Sequence, residues 1–412
     1  MSTNSAPDTD VSTTVVPDYP MPRAAGCPFD PPPALRALQD HAPIGRIRLW
    51  DGSTPWLVTR YEDVRAVLAD PRISSDTTHP HFPFQSPAIK ERRRMQRTFI
   101  SMDDPEHAQH RRMVTATFSI KHVEALRPAI QKIVDDLIDT MLAGPRPVDL
   151  VQEFALPVPS LVICELLGVP YADHDFFQAN SKILIKRTTT VEQARTATQE
   201  LMDYLDRLIG TKLAHPADDL LSTLAERVRT GELSRREAAA TGMLLLIAGH
   251  ETTANMIALG TLALLRNPDQ LARLRDSDDP KTVASAVEEL LRYLSIVHTG
   301  RRRVALEDIE IGGVSIRAGE GVVLANEIAN HDPAVFPAPD RLDVDRNPRN
   351  HVAFGFGVHQ CLGQPLARVE LQVVYSTLYR RIPTLRLAVD LDRIPFKHDG
   401  SVYGVYELPV TW

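Results

Sequence analysis

Cysteine is scarce in this sequence: among 412 residues there are Cys27, Cys164 and Cys361 and no other. So small and odd a set cannot form the disulfide framework that stabilises many secreted proteins. The N-terminus also lacks a basic stretch followed by an apolar one, so neither a signal peptide nor a membrane anchor is expected. We therefore predict a protein of a reducing compartment, located in the cytoplasm.

Concentrated charge is absent as well. The formal net charge is −7 and the charged residues are dispersed, so nothing indicates nucleic-acid binding. Hydrophobic residues make up 43% of the chain, which is ample for a large core. Residues 1–33 are rich in Ser, Thr, Asp and Pro, and this composition predicts a flexible N-terminal arm.

A long apolar segment in the middle of the chain predicts one buried helix. It begins at a capping box formed by Ser234 and Glu237 and ends at Arg266, shortly before Pro268. At 1.5 Å per residue, about 32 residues give a helix of roughly 48 Å, enough to cross a domain. A membrane span is the competing interpretation. We reject it because Glu251, near the middle, would cost about 2.5–3.5 kcal/mol in a bilayer and no second span exists to shield it.

Shorter elements are predicted around this helix. The segment Ser74–Arg97 has no periodicity and contains Pro80, Pro83 and Pro87, so we predict a long loop, which in a compact protein is often functional. Alternating and turn-rich stretches predict β structure at 47–59 and 303–326, and amphipathic stretches predict helices at 61–68, 120–232, 282–294 and from the end of the 354–363 loop to about 381.

One cysteine stands in a glycine-rich loop near the end of the chain. Gly355 and Gly357 allow the backbone to approach a flat group closely. An apolar stripe from Leu366 predicts a helix directly after the loop, so Cys361 lies at a helix N-terminus, where N–H groups and the dipole favour a thiolate. A thiolate held against a planar cofactor is what a haem iron takes from cysteine. For a lone cysteine the alternative is an inert core residue.

The ten residues Phe354–Gly363 resemble the haem-binding motif of the cytochrome P450 family, F-G-x-G-x-H-x-C-x-G, at every specified position. The resemblance covers Ala34 to Trp412 and implies a single domain over 34–412. The implied fold is mainly α with a smaller β-rich part: a triangular prism of helices, with haem b (iron protoporphyrin IX) between the central helix and the cysteine-loop helix. The sequence most resembles soluble actinomycete members that act in secondary metabolism and xenobiotic oxidation.

The resemblance also implies which residues bind the cofactor. His107 and Arg111 match an H-x-x-x-R pair that binds haem propionates, for which the arginine fork is suited; alone, the pair would be an exposed polar helix face. Arg303, five residues before Asp308, occupies another propionate-binding position. The full set of implied cofactor-binding residues is His107, Arg111, Ala248, Arg303, Phe354, Gly355, His359 and Cys361, of which Cys361 is the iron ligand.

Ala248, Gly249, Glu251 and Thr252 match the family pattern A-G-x-[DE]-T-T in the central helix. The resemblance implies that Thr252 and Glu251 are catalytic and deliver protons during oxygen activation, Thr252 as hydrogen-bond donor and Glu251 as the acid that feeds it. The alternative is a satisfied core threonine beside a paired glutamate.

Two further groups are implied. Glu289 and Arg292 match the E-x-x-R pair and, with Arg346, should form a buried structural network behind the haem loop; in isolation they would be an ordinary surface ion pair. The substrate pocket is predicted to include Phe82, Phe84, Leu244, Ala248, Ile296, Val297, His298 and Val402.

The implied function is a haem-thiolate monooxygenase that hydroxylates a bulky, largely apolar small molecule with O2. The chain has no flavin or glycine-rich dinucleotide fingerprint, so electrons from NAD(P)H must arrive through separate partners, a ferredoxin and a ferredoxin reductase. The alternatives are a peroxide-driven peroxygenase and a non-catalytic haem protein that binds gases. No nucleic acid or membrane is expected as a partner, and the protein is predicted to be a monomer.

Arg301 and Arg302 have no place in this scheme. One hypothesis is that one of them, with His298, anchors a carboxylate or polar end of the substrate at the pocket mouth. The other is that both are solvated or add to the propionate site, since unpaired arginine is rarely buried.

Overall fold

The computed structural model describes residues 16–24 and 26–412, and it is mainly helical. In chain order the helices are α1 (Pro33–His41), α2 (Tyr61–Ala69), α3 (Pro87–Met95), α4 (Glu106–Thr115), α5 (Ile120–Ala125), α6 (Arg127–Ala143), α7 (Pro157–Leu167), α8 (His174–Ile185), α9 (Val191–Ala214), α10 (Leu220–Arg229), α11 (Arg235–Arg266), α12 (Pro268–Arg275), α13 (Pro280–Leu294), α14 (Asn326–Ala329) and α15 (Gln364–Arg381).

The strands form a smaller part. They are β1 (Ile44–Arg46), β2 (Trp56–Val58), β3 (Ile73–Ser74), β4 (Val148–Asp149), β5 (Arg301–Ala305), β6 (Ile309–Ile311), β7 (Val314–Ile316), β8 (Gly321–Leu324), β9 (Arg386–Leu387) and β10 (Pro409–Thr411). The largest sheet has the order β1-β2-β8-β5-β3, and β4-β10-β9 and β6-β7 form two smaller ones. The hairpin predicted at 47–59 is present, but its first strand, β1, lies before the predicted start, with Ile44 opposite Val58 of β2.

The central helix α11 organises the helical part. The predicted capping box is formed, because the Ser234 side chain accepts from the Glu237 N–H and the Glu237 side chain accepts from the Ser234 N–H. The helix packs against α7, α9, α10, α13 and α15. Being enclosed on several sides, it is apolar nearly all round, as a buried helix should be. Within the described ranges, no helix is long and apolar enough to cross a membrane.

The stretch 74–97 differs from the predicted loop. Its second half is helix α3, which starts where the Ser86 side chain accepts a hydrogen bond from the Ile89 N–H, with Pro87 in the first turn. The start signal is present, but Arg92, Arg93 and Arg94 remove the apolar periodicity by which helices are recognised in sequence.

The predicted flexible arm, residues 1–33, lies partly outside the described residues, which omit 1–15 and 25. In its described part, Tyr19 and Met21 are buried against the large sheet and α14. The Tyr19 hydroxyl donates to Glu327 Oε1 at 3.1 Å, and Asp18 forms a bridge with Arg48. Around Tyr19 and Met21 this segment is therefore extended chain packed against the fold.

Candidate active site

A cavity of about 520 Å³ lies between α11 and the cysteine loop, and α3 and the strand β5 contribute further walls. The catalytic candidates Glu251 and Thr252 line it together with Cys361. Seven of the eight predicted pocket residues also line it: Phe82, Phe84, Leu244, Ala248, Ile296, Val297 and Val402. His298 is the exception.

The cysteine loop is held by its own backbone. The Cys361 N–H donates to the Phe354 carbonyl and the Gly355 N–H to the Val352 carbonyl, each at 2.9 Å. Gly357 has φ 72°, and a β-carbon there would lie 2.5 Å from the Leu68 carbonyl oxygen, so only glycine fits this turn. The loop ends at α15, and the thiol of Cys361 faces the cavity three residues before that helix begins.

The thiol of Cys361 is shielded from water but has positively charged arginines near it. Burial raises the pKa of the Cys361 thiol, while Arg301, the Gly363 N–H and Arg111 act in the opposite direction. A thiolate at this position is therefore favoured only when a positive centre such as a metal ion faces it.

A buried ion network supports the loop from behind. Arg292 donates to both oxygens of Glu289 at 2.7 and 2.8 Å, and Arg346 donates to Glu289 Oε1 at 3.1 Å. Arg292 also donates to the carbonyl of Asn330, whose side chain accepts from the Val352 N–H. The structure thus brings together the three residues predicted as a network and connects them to the start of the loop.

A second glutamate on α13, which sequence reasoning missed, contacts the loop and α15 directly. Glu288 accepts from His351 Nε2 at 3.1 Å and from Arg368 at 2.6 and 3.0 Å. Burial alone would raise its pKa, but these hydrogen bonds lower the pKa of Glu288 to about 2. Arg368 in turn lies over the ring of Phe354 at 4.8 Å.

The opposite wall, on α11, contains side-chain polar groups that remain available to the cavity. Thr252 Oγ1 donates to the Ala248 carbonyl at 2.8 Å and faces the cavity. Glu251 is buried, its Oε1 is 3.8 Å from His250 Nε2, and its Oε2 has no partner among the described residues. Burial lowers the pKa of His250, so this ring is neutral and leaves the Glu251 carboxyl without a fixed cation.

Basic side chains gather at one edge of the cavity. The rings of His107 and His359 lie 4.0 Å apart, and Arg111 and Arg303 line the cavity beside them. The His107 Nδ1–H donates to Asp104, which leaves Nε2 buried and without a partner in the described part of the chain. Burial and then Arg303 lower the pKa of His359 to about 3. Both effects disfavour the charged imidazole, because it would be shielded from water and close to other positive groups.

Strand β5 separates the remaining arginines. Alternation along a strand puts Arg301 on the same face as Arg303 and Arg302 on the other. Arg301 approaches Gly355 and the cysteine loop, with its Nε unpartnered among described residues. Arg302 is buried and donates to the carbonyls of Thr299 and Gly300.

The hypothesis is that Arg301 or Arg302 anchors the substrate together with His298. The geometry does not support it at Arg302 and His298, while Arg301 lines the cavity beside the cysteine loop. His298 lies outside the cavity lining, and its Nε2–H donates to the Gly400 carbonyl at 3.0 Å. Burial and then Arg23 lower the pKa of His298 to about 3, so it carries no charge with which to hold an acid. The guanidinium of Arg302 is already committed to backbone carbonyls.

Several lining residues were not found by sequence reasoning. Arg92 and Arg93 reach the cavity from α3, and Gln96 lies beside them. Glu370 reaches it from α15, and burial raises the pKa of this carboxyl to about 8. The sequence feature that could have indicated Arg92 and Arg93 is the run of three arginines after the Ser86–Pro87 helix start. Such a run is equally typical of a solvent-exposed helix surface.

The arrangement fits a haem. The donor facing the cavity is the half-buried thiol of Cys361, and the walls beside it include Phe354 and Ala248. Among the described residues, the basic edge has unpartnered nitrogens on His107 and Arg301. The two propionate groups of a haem would supply the negative charges that balance this basic edge. Of the predicted cofactor residues, His107 and Gly355 contact lining residues and the others line the cavity themselves.

Comparison with known proteins agrees with this geometry. A family model described as Cytochrome P450 matches residues 171–382. Cytochrome P450 GfsF of Streptomyces halstedii is 60% identical over 96% of both chains, and Cytochrome P450-SU2 of Streptomyces griseolus is 56% identical over 98% of this chain and 100% of its own.

Solved structures show the same fold. The crystal structure of GfsF covers 96% of this chain and 100% of its own, with a TM-score of 0.91 and 59% identity. The mycinamicin VIII C21 methyl hydroxylase MycCI from Micromonospora griseorubida, bound to mycinamicin VIII, gives a TM-score of 0.91 at 43% identity, with the same coverage.

Proposed function

This chain belongs to the cytochrome P450 family, and from that starting point we propose how its own residues carry out a haem-thiolate monooxygenation. It is an oxidoreductase of the monooxygenase class that uses haem b and hydroxylates small molecules of the kind found in secondary metabolism and xenobiotic oxidation. The observation that carries the detailed proposal is that a half-buried thiol and an acid–alcohol pair line opposite walls of one cavity.

The cofactor is assigned to residues as follows. Cys361 supplies the iron ligand, and Arg111, Arg303, His107 and His359 hold the propionates at the basic edge. When bound, the haem supplies the oxygen-activating chemistry, which the protein does not provide itself. Behind the loop, the network of Glu289, Arg292 and Arg346 fixes the position of the thiol and takes no part in the chemistry.

Protons reach the reacting oxygen through α11. Glu251 Oε2, which no described residue engages, relays protons toward the cavity. The Thr252 hydroxyl rotates from the Ala248 carbonyl to donate into the cavity, and it accepts the replacement proton from the side of Glu251. The neutral His250 keeps Glu251 free for this role, because it offers no fixed salt bridge.

The substrate is proposed to be bulky and largely apolar. Phe82 and Phe84, with ring centroids 4.9 Å apart, form an aromatic wall together with Leu244 and Val297. The related enzyme MycCI is named for hydroxylating a methyl group of mycinamicin VIII, and this chain shares its fold over nearly its full length. A substrate of secondary metabolism is therefore proposed for this chain as well.

Electrons are proposed to come from NAD(P)H and to reach the haem through a ferredoxin reductase and a ferredoxin. The protein is proposed to be a cytoplasmic monomer with a single domain over 34–412. The cysteine loop reaches the surface at Val358, whose side chain is 59% exposed. A small electron carrier that docks there would stand close to the thiol wall of the cavity, which keeps the transfer distance short.

Reconstitution tests the function. The haem-loaded protein is incubated with a panel of macrolide and polycyclic substrates, under O2, with three electron supplies: NAD(P)H with ferredoxin and reductase, peroxide alone, or none. Product in the first arm alone is the expected result. Equal product with peroxide alone would indicate a peroxygenase. A thiolate spectrum without product in any arm would indicate a gas-binding protein.

A further inference from the structure

Two of the arginines that line the cavity come from α3 and lie apart from the basic edge. Arg92 and Arg93 line the cavity, while Arg94, the next residue, is exposed on the outer side of the helix. Arg92 donates to the Leu184 carbonyl at 3.1 Å, which attaches α3 to the end of α8. Arg92 therefore has a structural task, and Arg94 is in solvent.

Arg93 has no such task. Among the described residues it forms neither a hydrogen bond nor an ion pair, and the nearby Glu91 is already paired with Arg195 at 2.9 Å. The described lining contains six arginines and two carboxyl groups, Glu251 and Glu370. Burial and then the adjacent Arg92 lower the pKa of Arg93 to about 9. The side chain is half-buried and lines the cavity with no counter-charge among the described residues, which is unfavourable for a guanidinium.

The position of α3 separates Arg93 from the basic edge. Helix α3 packs against α9, whereas the basic edge is formed by α4, strand β5 and the cysteine loop. Arg93 therefore lies on a different wall from the groups proposed to hold the propionates. Its neighbour in the cavity is Gln96, three residues further along, whose Nε2 and Oε1 are both buried and unpartnered within the described ranges.

We propose that Arg93, assisted by the amide of Gln96, binds a carboxylate of the substrate at the roof of the cavity. This inference rests on the proposed monooxygenase function and narrows its substrate class to amphipathic acids. The apolar body would lie against Phe82 and Phe84, just before α3, and the acid would face Arg93. A guanidinium–carboxylate contact satisfies both partners, whereas a neutral ligand leaves the arginine unpaired and is bound less well.

The experiment compares acids with their methyl esters on the haem-loaded protein. Dodecanoic acid and the bulkier abietic acid are each titrated against their esters, by the spectral shift on binding and by calorimetry. Wild type is expected to bind the acids at least about tenfold more tightly than the esters. Arg93→Leu should abolish that difference, Arg93→Lys should keep part of it, and the matched control Arg94→Leu should keep all of it.

Equal affinity of wild type for acid and ester, including no binding of either, overturns the proposal, as does a preference that survives in Arg93→Leu. If Arg93→Leu loses haem but the haem-loaded fraction keeps the acid preference, Arg93 belongs to cofactor binding and the proposal fails. The circular dichroism spectrum checks that each variant is folded. Failure of the proposed function is separate, because it would appear as loss of the reduced carbon monoxide spectrum in wild type itself.

Discussion

Single residues divide the chemistry between two walls of the cavity. On one wall Cys361 is the single thiol, and on the other Thr252 and Glu251 are the polar groups on an otherwise apolar helix. The other two cysteines are poor alternatives. Cys27 is exposed, and burial raises the pKa of Cys164 to about 12.

Replacing Cys361 by serine should remove the thiolate signature from the reduced carbon monoxide spectrum. A serine hydroxyl is a far weaker acid than a thiol, so it does not readily supply an anionic ligand, and it lacks the sulfur that donates charge to the iron. Cys27→Ser and Cys164→Ser serve as matched controls and should keep the signature. A normal spectrum in Cys361→Ser would show that another residue is the ligand.

Replacing Thr252 by alanine should uncouple electron consumption from product formation. The variant should still bind haem and consume NAD(P)H, because the one hydrogen bond of Oγ1 among the described residues is to the Ala248 carbonyl. Without the hydroxyl, oxygen should be released as hydrogen peroxide, and product per NAD(P)H should fall about tenfold or more. Peroxide and product are measured together in the reconstituted system. Wild-type coupling in this variant would remove Thr252 from the proton pathway.

How much a sequence predicts at this scale depends on whether the residues lie in a compact motif. Cys361 and Thr252 belong to short runs of fixed spacing, and both line the cavity. His298 was selected for its position, but its ring donates to the Gly400 carbonyl, a contact that depends on a loop about a hundred residues away. Arg93 was missed because an arginine run on a helix is equally typical of a solvated surface.

At the scale of elements, α13 carries two adjacent glutamates with different tasks. Glu289 joins Arg292 and Arg346, and Glu288 joins His351 and Arg368. Because successive helical residues point in different directions, one helix can support the start of the cysteine loop and the helix that follows it.

The Glu288 contact should contribute to stability at neutral pH and less in acid. Its pKa falls from 4.5 in the unfolded chain to about 2 in the folded protein, a difference of about 3 kcal/mol. Because the folded pKa is the lower one, this contribution is fully present above about pH 4.5 and is lost as pH falls toward 2. Urea unfolding of wild type and Glu288→Gln should give a stability difference that narrows below pH 4.5. A difference independent of pH would show that the charge of Glu288 is not what stabilises the loop.

Elements with local signals were predicted and those without were not. The capping box at Ser234 and the long apolar run fixed α11, and both are confirmed. Helix α3 has a Ser–Pro start but no apolar stripe, because one of its sides borders a cavity and another faces solvent. Strand β5 begins at Arg301, two residues earlier than the predicted β region. Arg301 and Arg302 are therefore part of the strand, and their side chains alternate between its two faces.

At the scale of the whole molecule, the segment from residue 16 onward is attached to the large sheet by buried polar contacts. Tyr19 donates to Glu327 of α14, and both side chains are buried. Burial raises the pKa of Glu327 to about 7, although Tyr19, Arg23 and Arg302 act against the increase. Glu327, like Glu370, is therefore a carboxyl group that ionises only with difficulty.

This carboxyl should make the fold less stable as pH rises. The folded pKa of about 7 lies above the ordinary 4.5, so its contribution is fully present below pH 4.5 and is lost as pH rises through 7. Relative to Glu327→Gln, wild type should lose about 3 kcal/mol between pH 4.5 and 8. Denaturant unfolding at several pH values measures this, with Tyr19→Phe testing the hydrogen bond separately. A constant difference between wild type and Glu327→Gln would contradict the assignment.

The cavity has a consequence for biosynthesis. Its walls run from Ser75 in the first quarter of the chain to Val402 near its end, with α11 and Cys361 between them. On a ribosome the first wall emerges long before the last, so a growing chain cannot enclose a cofactor until residue 402 has been made. Haem can therefore be enclosed only when the polypeptide is nearly complete, and in recombinant production the yield of loaded protein should rise if haem precursor is still available late in expression.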